Sequence, residues 1–177
     1  VVEIREKFHL KQYVSDSTVR LAKDKARRKE GVEGEREEVT VFFSDIRGFT
    51  SISEKLAPDA LVEMLNAYLD LQARAIKKHG GDVDKFVGDA VMAVFSGDHM
   101  ESFGFHASTE IQSELKKMNA ERRAKGLAVA EIGIGLHVGE VVVGSIGSKD
   151  RKDYTIIGDN VNLASRLCSK AAAGEVL

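Results

Sequence analysis

A chain of 177 residues, 43% hydrophobic and 31% charged, has the balance of a soluble globular protein and the length of one domain with some residues to spare. Twenty-six basic against 28 acidic residues leave a formal charge of −2, which argues against a nucleic-acid binder or a domain held on an anionic membrane. One cysteine excludes an internal disulfide and a thiolate metal cluster and fits a reducing compartment, and no apolar run approaches the roughly 20 residues that span a bilayer. The start at Val1 is charged, without the apolar core of a signal peptide and without an initiator methionine, so a piece of a longer protein is expected.

Ile4 and Phe8, then Leu10 and Val14, lie four apart and predict one face of a helix. From residue 20 to 38 the chain is mostly charge interrupted by Gly31 and Gly34, which predicts a frayed helix end and a solvated linker. Residues 1–38 are therefore read as a helix connecting an upstream sensor to a domain over residues 39–177, with a plain tail as the alternative. The β-branched and aromatic run 39–44 predicts a buried strand. Ser51 and Glu54 have capping-box spacing, Pro58 suits a first helical turn, and Leu61, Leu65, Leu69 and Ile76 form a stripe that Gly80 and Gly81 stop. Residues 82–87 and 90–95 read as two strands joined at Gly88 and Asp89. Phe103, Ala107, Ile111, Leu115 and Met118 mark a helix ending near Gly126. Residues 129–137 and 140–146 read as a second strand pair around Gly139; a charged loop, a strand over 154–157 and a helix from about Asp159 follow. The order predicts an α+β fold: a mainly antiparallel sheet with helices packed on one face.

Asp45 follows directly on a buried strand and Asp89 sits at a hairpin tip. Alone, each is more often a backbone cap than a ligand. Together they offer two hard oxygen ligands suited to Mg²⁺ beside substrate phosphates, with Gly48 free to let backbone approach a phosphate. Asn162 and Arg166 share one face of the last helix, where an arginine is by default merely solvated. Gly133 and Gly135 lack the third glycine of a dinucleotide-binding turn, residues 144–149 miss the P-loop spacing, and the five histidines show no metal-ligand spacing.

Four segments occur in a fixed order: VTVFFSDIRGFTSISE (39–54), GGDVDKFVGDAVMAVF (80–95), GLHVGEVVVGSIGS (135–148) and DYTIIGDNVNLASRL (153–167). Together they resemble the class III nucleotidyl cyclases, specifically the bacterial-type adenylate cyclase catalytic domain with its ferredoxin-like fold. The resemblance implies that Asp45 and Asp89, with the Ile46 carbonyl, bind two divalent metal ions, Mg²⁺ or Mn²⁺. It implies that Lys85 and Thr155 recognise the base, Asn162 orients the ribose and Arg166 stabilises charge on the reacting phosphate. The implied activity is conversion of ATP to 3′,5′-cyclic AMP and pyrophosphate at sites shared by a homodimer. One protomer supplies the aspartates, its partner Lys85, Thr155, Asn162 and Arg166. It further implies strands and a phosphate-binding lysine beyond residue 177, and a cytoplasmic setting with a parent protein that is either soluble or membrane-anchored. Guanylate cyclase is the rival within the class, disfavoured by Lys85. A silent nucleotide-binding regulatory domain is the rival outside it, disfavoured because all six matched side chains are present.

Overall fold

The computed structural model describes Thr18, residues 34–148, Asp150 and residues 152–177. The predicted helix around residues 4–14 lies outside the described residues. The described elements are β1 (Glu35–Ile46), α1 (Phe49–Ser53), α2 (Pro58–Lys78), β2 (Asp82–Val87), β3 (Ala90–Phe95), α3 (Met100–Ala124), β4 (Ile132–Gly147), β5 (Lys152–Ile157) and α4 (Asp159–Lys170). The strands form one sheet in the order β2-β3-β1-β4-β5, and every neighbouring pair is antiparallel, as the sequence predicted.

The central strand β1 is apolar on both sides, and this decides the layering. Phe42 and Ile46 point to one face, where they join Met64, Tyr68 and Leu71 of α2 and Ala107, Ile111 and Leu115 of α3. Val39 and Val41 point to the other, where they meet Met92, Val141, Ile156 and Ala164 of α4. The two long helices thus share one face, as expected, while α4 packs on the opposite one. The long helices are fixed by buried polar bonds as well as by apolar contact. Ser44 Oγ donates to Gln72 Oε1 at 2.5 Å, the Tyr68 hydroxyl donates to Asn119 Oδ1, and Asn119 Nδ2 donates to the Ala130 carbonyl at 2.7 Å. Each of these groups would be costly to bury unpaired, so the network fixes how α2 and α3 sit on the sheet.

Several predicted boundaries move for identifiable reasons. The expected strand pair around Gly139 is one continuous strand, β4, in which Gly139 pairs with Val39 of β1. Its glycines are places of close approach rather than turns: a Cβ on Gly139 would fall 2.5 Å from Asn160 Cγ, and one on Gly135 would fall 2.2 Å from the Cys168 backbone nitrogen. β1 begins at Glu35, before its apolar run, because backbone pairing with β4 continues through exposed residues that carry no hydrophobic signal. Ser51 lies inside α1, which starts from Gly48 in the left-handed conformation (φ 70°), so no capping box forms there. Pro58 does open α2. Phe103 is exposed and Gly104 takes the inward place on α3, where a Cβ would make a tight 3.0 Å contact with the Thr40 methyl group. Residues 174–177 run beside the start of β4, where the Leu177 amide donates to the Ile134 carbonyl at 3.0 Å and Ile134 bridges Val176 in parallel.

Candidate active site

The ladder register brings Asp45 and Asp89 together. β1 and β3 pair through Ser44 and Val91, so the next residues outward are Asp45 at the end of β1 and the turn that holds Asp89. Gly88 closes that turn at φ 63°, a conformation glycine adopts without strain. The Asp89 carboxyl accepts hydrogen bonds from its own amide and that of Ile46 and shares a further bond with the Asp45 carboxyl. Burial, and then the neighbouring Asp45, push the Asp89 carboxyl up to about 6. Two carboxylates this close repel unless a proton or a cation lies between them. Such a donor pair fits a hard divalent ion, and among the described residues no third His, Cys, Asp or Glu joins it.

Arg47, which the sequence did not single out, stands beside this pair. Its Nη1 lies 3.7 Å from Asp45 Oδ2, and its Nη2 donates at 2.5 Å to the Cys168 carbonyl near the end of α4. The guanidinium fills the space over Gly133, where a Cβ would come within 2.2 Å of Nη2. A cation at the carbonyl end of a helix is favoured by the helix dipole. Arg47 thus ties the strand end that carries Asp45 to the helix that carries Asn162 and Arg166.

Lys85 and Thr155 come from β2 and β5, the two edge strands, yet they meet around Asp84. Thr155 Oγ1 donates to Asp84 Oδ2 at 2.8 Å, and Lys85 Nζ lies 3.4 Å from the same oxygen. Only a strongly coiled sheet brings opposite edges this close. Burial raises the Asp84 carboxyl, an effect opposed by the Thr155 hydrogen bond and the Lys85 charge.

Asn162 and Arg166 are exposed on α4, while Ala164 and Cys168 face the sheet. Among the described residues neither Asn162 nor Arg166 has a side-chain hydrogen bond or ion pair. The helix beneath them is firmly seated. Asn160 Nδ2 donates to the Glu140 carbonyl at 2.8 Å, Asn160 Oδ1 lies 2.9 Å from His137 Nε2, and Gly135 lets the helix backbone approach the strand closely. Asp45, Ile46 and Asp89 therefore form one group and Lys85 and Thr155 a second. Asn162 and Arg166 project outward from the protomer as a third. Arg47 and Asp84 are the two members that sequence reading missed.

Residues 32–177 match the model of the adenylate and guanylate cyclase catalytic domain, and the chain belongs to that family. It is 43% identical over 133 residues to an adenylate cyclase of Anabaena cylindrica, covering 73% of this chain and 26% of the relative. Identity to adenylate cyclase 1 of Rhizobium meliloti is 40% over 136 residues, 75% of this chain and 20% of that protein. The chain thus spans about a quarter or less of the length of these curated relatives. Among solved structures, the adenylyl cyclase CyaB from P. aeruginosa superposes with a TM-score of 0.78 at 41% identity, covering 82% of this chain and 78% of that one. The guanylyl cyclase Cya2 gives a TM-score of 0.77 at 38% identity, covering 83% and 76%.

Proposed function

We propose that this chain is an adenylate cyclase catalytic domain that converts ATP to 3′,5′-cyclic AMP and pyrophosphate at sites shared between two copies. The observation that carries this reading is the meeting of Lys85 and Thr155 around Asp84 from opposite edges of the sheet. A lysine beside a hydroxyl presents a donor where adenine offers its N1 lone pair, whereas a guanine-reading site needs an acceptor there. The fold itself does not separate the two substrates, since CyaB and Cya2 superpose almost equally well.

In the reaction the ATP 3′-hydroxyl attacks the α-phosphorus of the same molecule. The 3′-oxygen–phosphorus bond forms, the bond to the bridging oxygen breaks, pyrophosphate leaves, and the hydroxyl proton passes to solvent. Because the nucleophile is already tethered, the protein's main task is to fold the substrate into line. Lys85 and Thr155 hold the base, Asn162 orients the ribose, and Arg166 meets the charge that grows on the phosphate in the transition state. Asp45, Asp89 and the Ile46 carbonyl would hold two divalent cations. Such ions, when bound, neutralise the phosphates and make the hydroxyl more acidic. No side-chain nucleophile is required.

The outward projection of Asn162 and Arg166, without side-chain partners among the described residues, supports their delivery to the aspartates of a second copy. An upstream sensor in the parent chain, acting through residues 1–38, then regulates the enzyme by rotating one protomer against the other. Substrate supply and a single free, buried cysteine fit a cytoplasmic setting. Among the described residues no helix is long and apolar enough to cross a membrane. The test is product analysis after incubating the purified protein, with the strands expected beyond residue 177 included, with ATP or GTP and Mg²⁺ or Mn²⁺. Cyclic AMP formed in preference to cyclic GMP is the expected result; preferential cyclic GMP, or no cyclisation under any combination, overturns the proposal.

A further inference from the structure

β2 and β3 pair in regular register except between Val83 and Lys85, where β2 carries one extra residue. Val83 pairs with Ala93 and Lys85 with the next residue of β3, Met92, so Asp84 is the inserted residue of a β-bulge. Bulges bend a strand and re-aim side chains. Here the bulge accompanies an acidic side chain only 5% exposed, hydrogen-bonded to Thr155 on the far edge strand.

We propose that Asp84 is a specificity-determining positioning residue: by accepting the hydroxyl hydrogen of Thr155, it fixes the Thr155 oxygen as an acceptor toward the nucleobase. The inference rests on the adenylate cyclase reading and deepens it. A threonine hydroxyl has one hydrogen and two lone pairs, and left free it rotates to suit either a donor or an acceptor. An ionised carboxylate can only accept, and Lys85 Nζ, 3.4 Å from the bonded oxygen, supplies the countercharge. With its hydrogen committed to Asp84, Thr155 offers a ligand only lone pairs. Lys85 has three hydrogens, of which one is directed by Asp84 and the others remain for the ligand. The two side chains therefore present one donor and one acceptor in a set order. Adenine answers with a ring-nitrogen acceptor at N1 and an amino donor at C6. A 6-oxopurine reverses both, setting hydrogen against hydrogen and lone pair against lone pair. Asp84 touches no substrate atom in this scheme; it removes the freedom that would let Thr155 accommodate the wrong base.

The experiment compares kcat/KM for ATP and inosine triphosphate, which differ in the purine ring only at C6 and in the hydrogen on N1. Asp84→Asn keeps the shape but allows the amide to donate to Thr155, releasing the hydroxyl hydrogen toward the base. The ATP-to-inosine triphosphate ratio is expected to fall about tenfold or more, since sites built to pair polar groups reject the mismatched one strongly. Asp84→Ala, which also frees the hydroxyl, should move the ratio the same way and carries the test if the asparagine variant does not fold. In a Thr155→Val background, Asp84→Asn should leave the ratio unchanged, because no hydroxyl remains to orient. A purely structural defect would lower both substrates by the same factor. Wild type favouring ATP with an unaltered ratio in the Asp84 variants overturns the role of Asp84 while the adenylate reading stands. A wild-type protein with no preference for ATP overturns both.

Discussion

Replacing Gly135 by alanine adds one methyl group at the point where α4 lies closest to the sheet. That carbon would stand 2.2 Å from the Cys168 backbone nitrogen and 2.6 Å from the Ala164 carbonyl oxygen, where real contacts stay beyond 3.0 Å. The neighbours are backbone atoms, so no side chain can swing aside; α4 as a whole has to move by about 1 Å. Overpacking of this kind costs about 1–3 kcal/mol. For a domain of this size that corresponds to a melting temperature lower by roughly 2–12 °C. Turnover is expected to suffer more, because Asn162 and Arg166 ride on the displaced helix and an error of about 1 Å in positioning costs on the order of 10²-fold. The assay pairs thermal unfolding with the rate of cyclic AMP formation. Gly144→Ala is the milder comparison and should cost less, since its added carbon would meet the Gly34 Cα at 3.2 Å, a tight contact rather than an overlap. A Gly135→Ala protein with wild-type melting and turnover would refute the argument that a glycine in β4 sets the seat of α4.

Asp89 gives a pH prediction. Its carboxyl titrates near 6 in the folded protein, against an ordinary value of 3.8, so between these values the folded state holds a proton that the unfolded chain has released. Metal-free protein should therefore lose stability as pH rises from about 4 to about 6, and Asp89→Asn should flatten that slope in melting curves. Above pH 6, added Mg²⁺ or Mn²⁺ should raise the melting temperature of the wild type and not of Asp45→Asn or Asp89→Asn, both of which should lose turnover by orders of magnitude in the cyclisation assay. Gln72→Leu leaves Ser44 Oγ buried without its partner and should cost about 1–3 kcal/mol in denaturant unfolding with little change in substrate choice. Lys85→Glu combined with Thr155→Cys should lower ATP use and raise the relative use of GTP, read as the ratio of catalytic efficiencies; an unchanged ratio removes this pair as the base reader.

Much of the fold was legible because local signals agreed with tertiary ones. Gly88 and Asp89 between two predicted strands announced the β2–β3 hairpin to the residue, and Pro58 and Gly80 bracketed α2. β4 was misread because a glycine inside a strand and a glycine in a turn look alike in sequence. What separates them at Gly139 is the side chain of Asn160, which arrives from another element. The layering was hidden for a related reason: alternate residues of β1 are apolar on both faces, and only the route of α4 shows what covers the second one. Asp45 was visible as an acidic residue directly after an apolar run, and Asp89 as an acidic residue at a hairpin tip. Asp84 was not, since its partner Thr155 is 71 positions away and its orientation depends on a bulge that leaves no mark in composition. Arg47 likewise reads as an ordinary loop cation until the Cys168 carbonyl and Gly133 are seen around it.

The most direct test of shared sites is complementation between two inactive variants. In a protein that includes the strands expected beyond residue 177, Asp45→Ala and Arg166→Ala homodimers should each be nearly dead. When the chains are mixed in equal amounts and allowed to exchange, half of the dimers are mixed, and each mixed dimer holds one doubly damaged and one intact site. Cyclic AMP formation should then recover to roughly a quarter of the wild-type rate. With exchange verified by differently tagged chains, a mixture as inactive as its components would contradict the account.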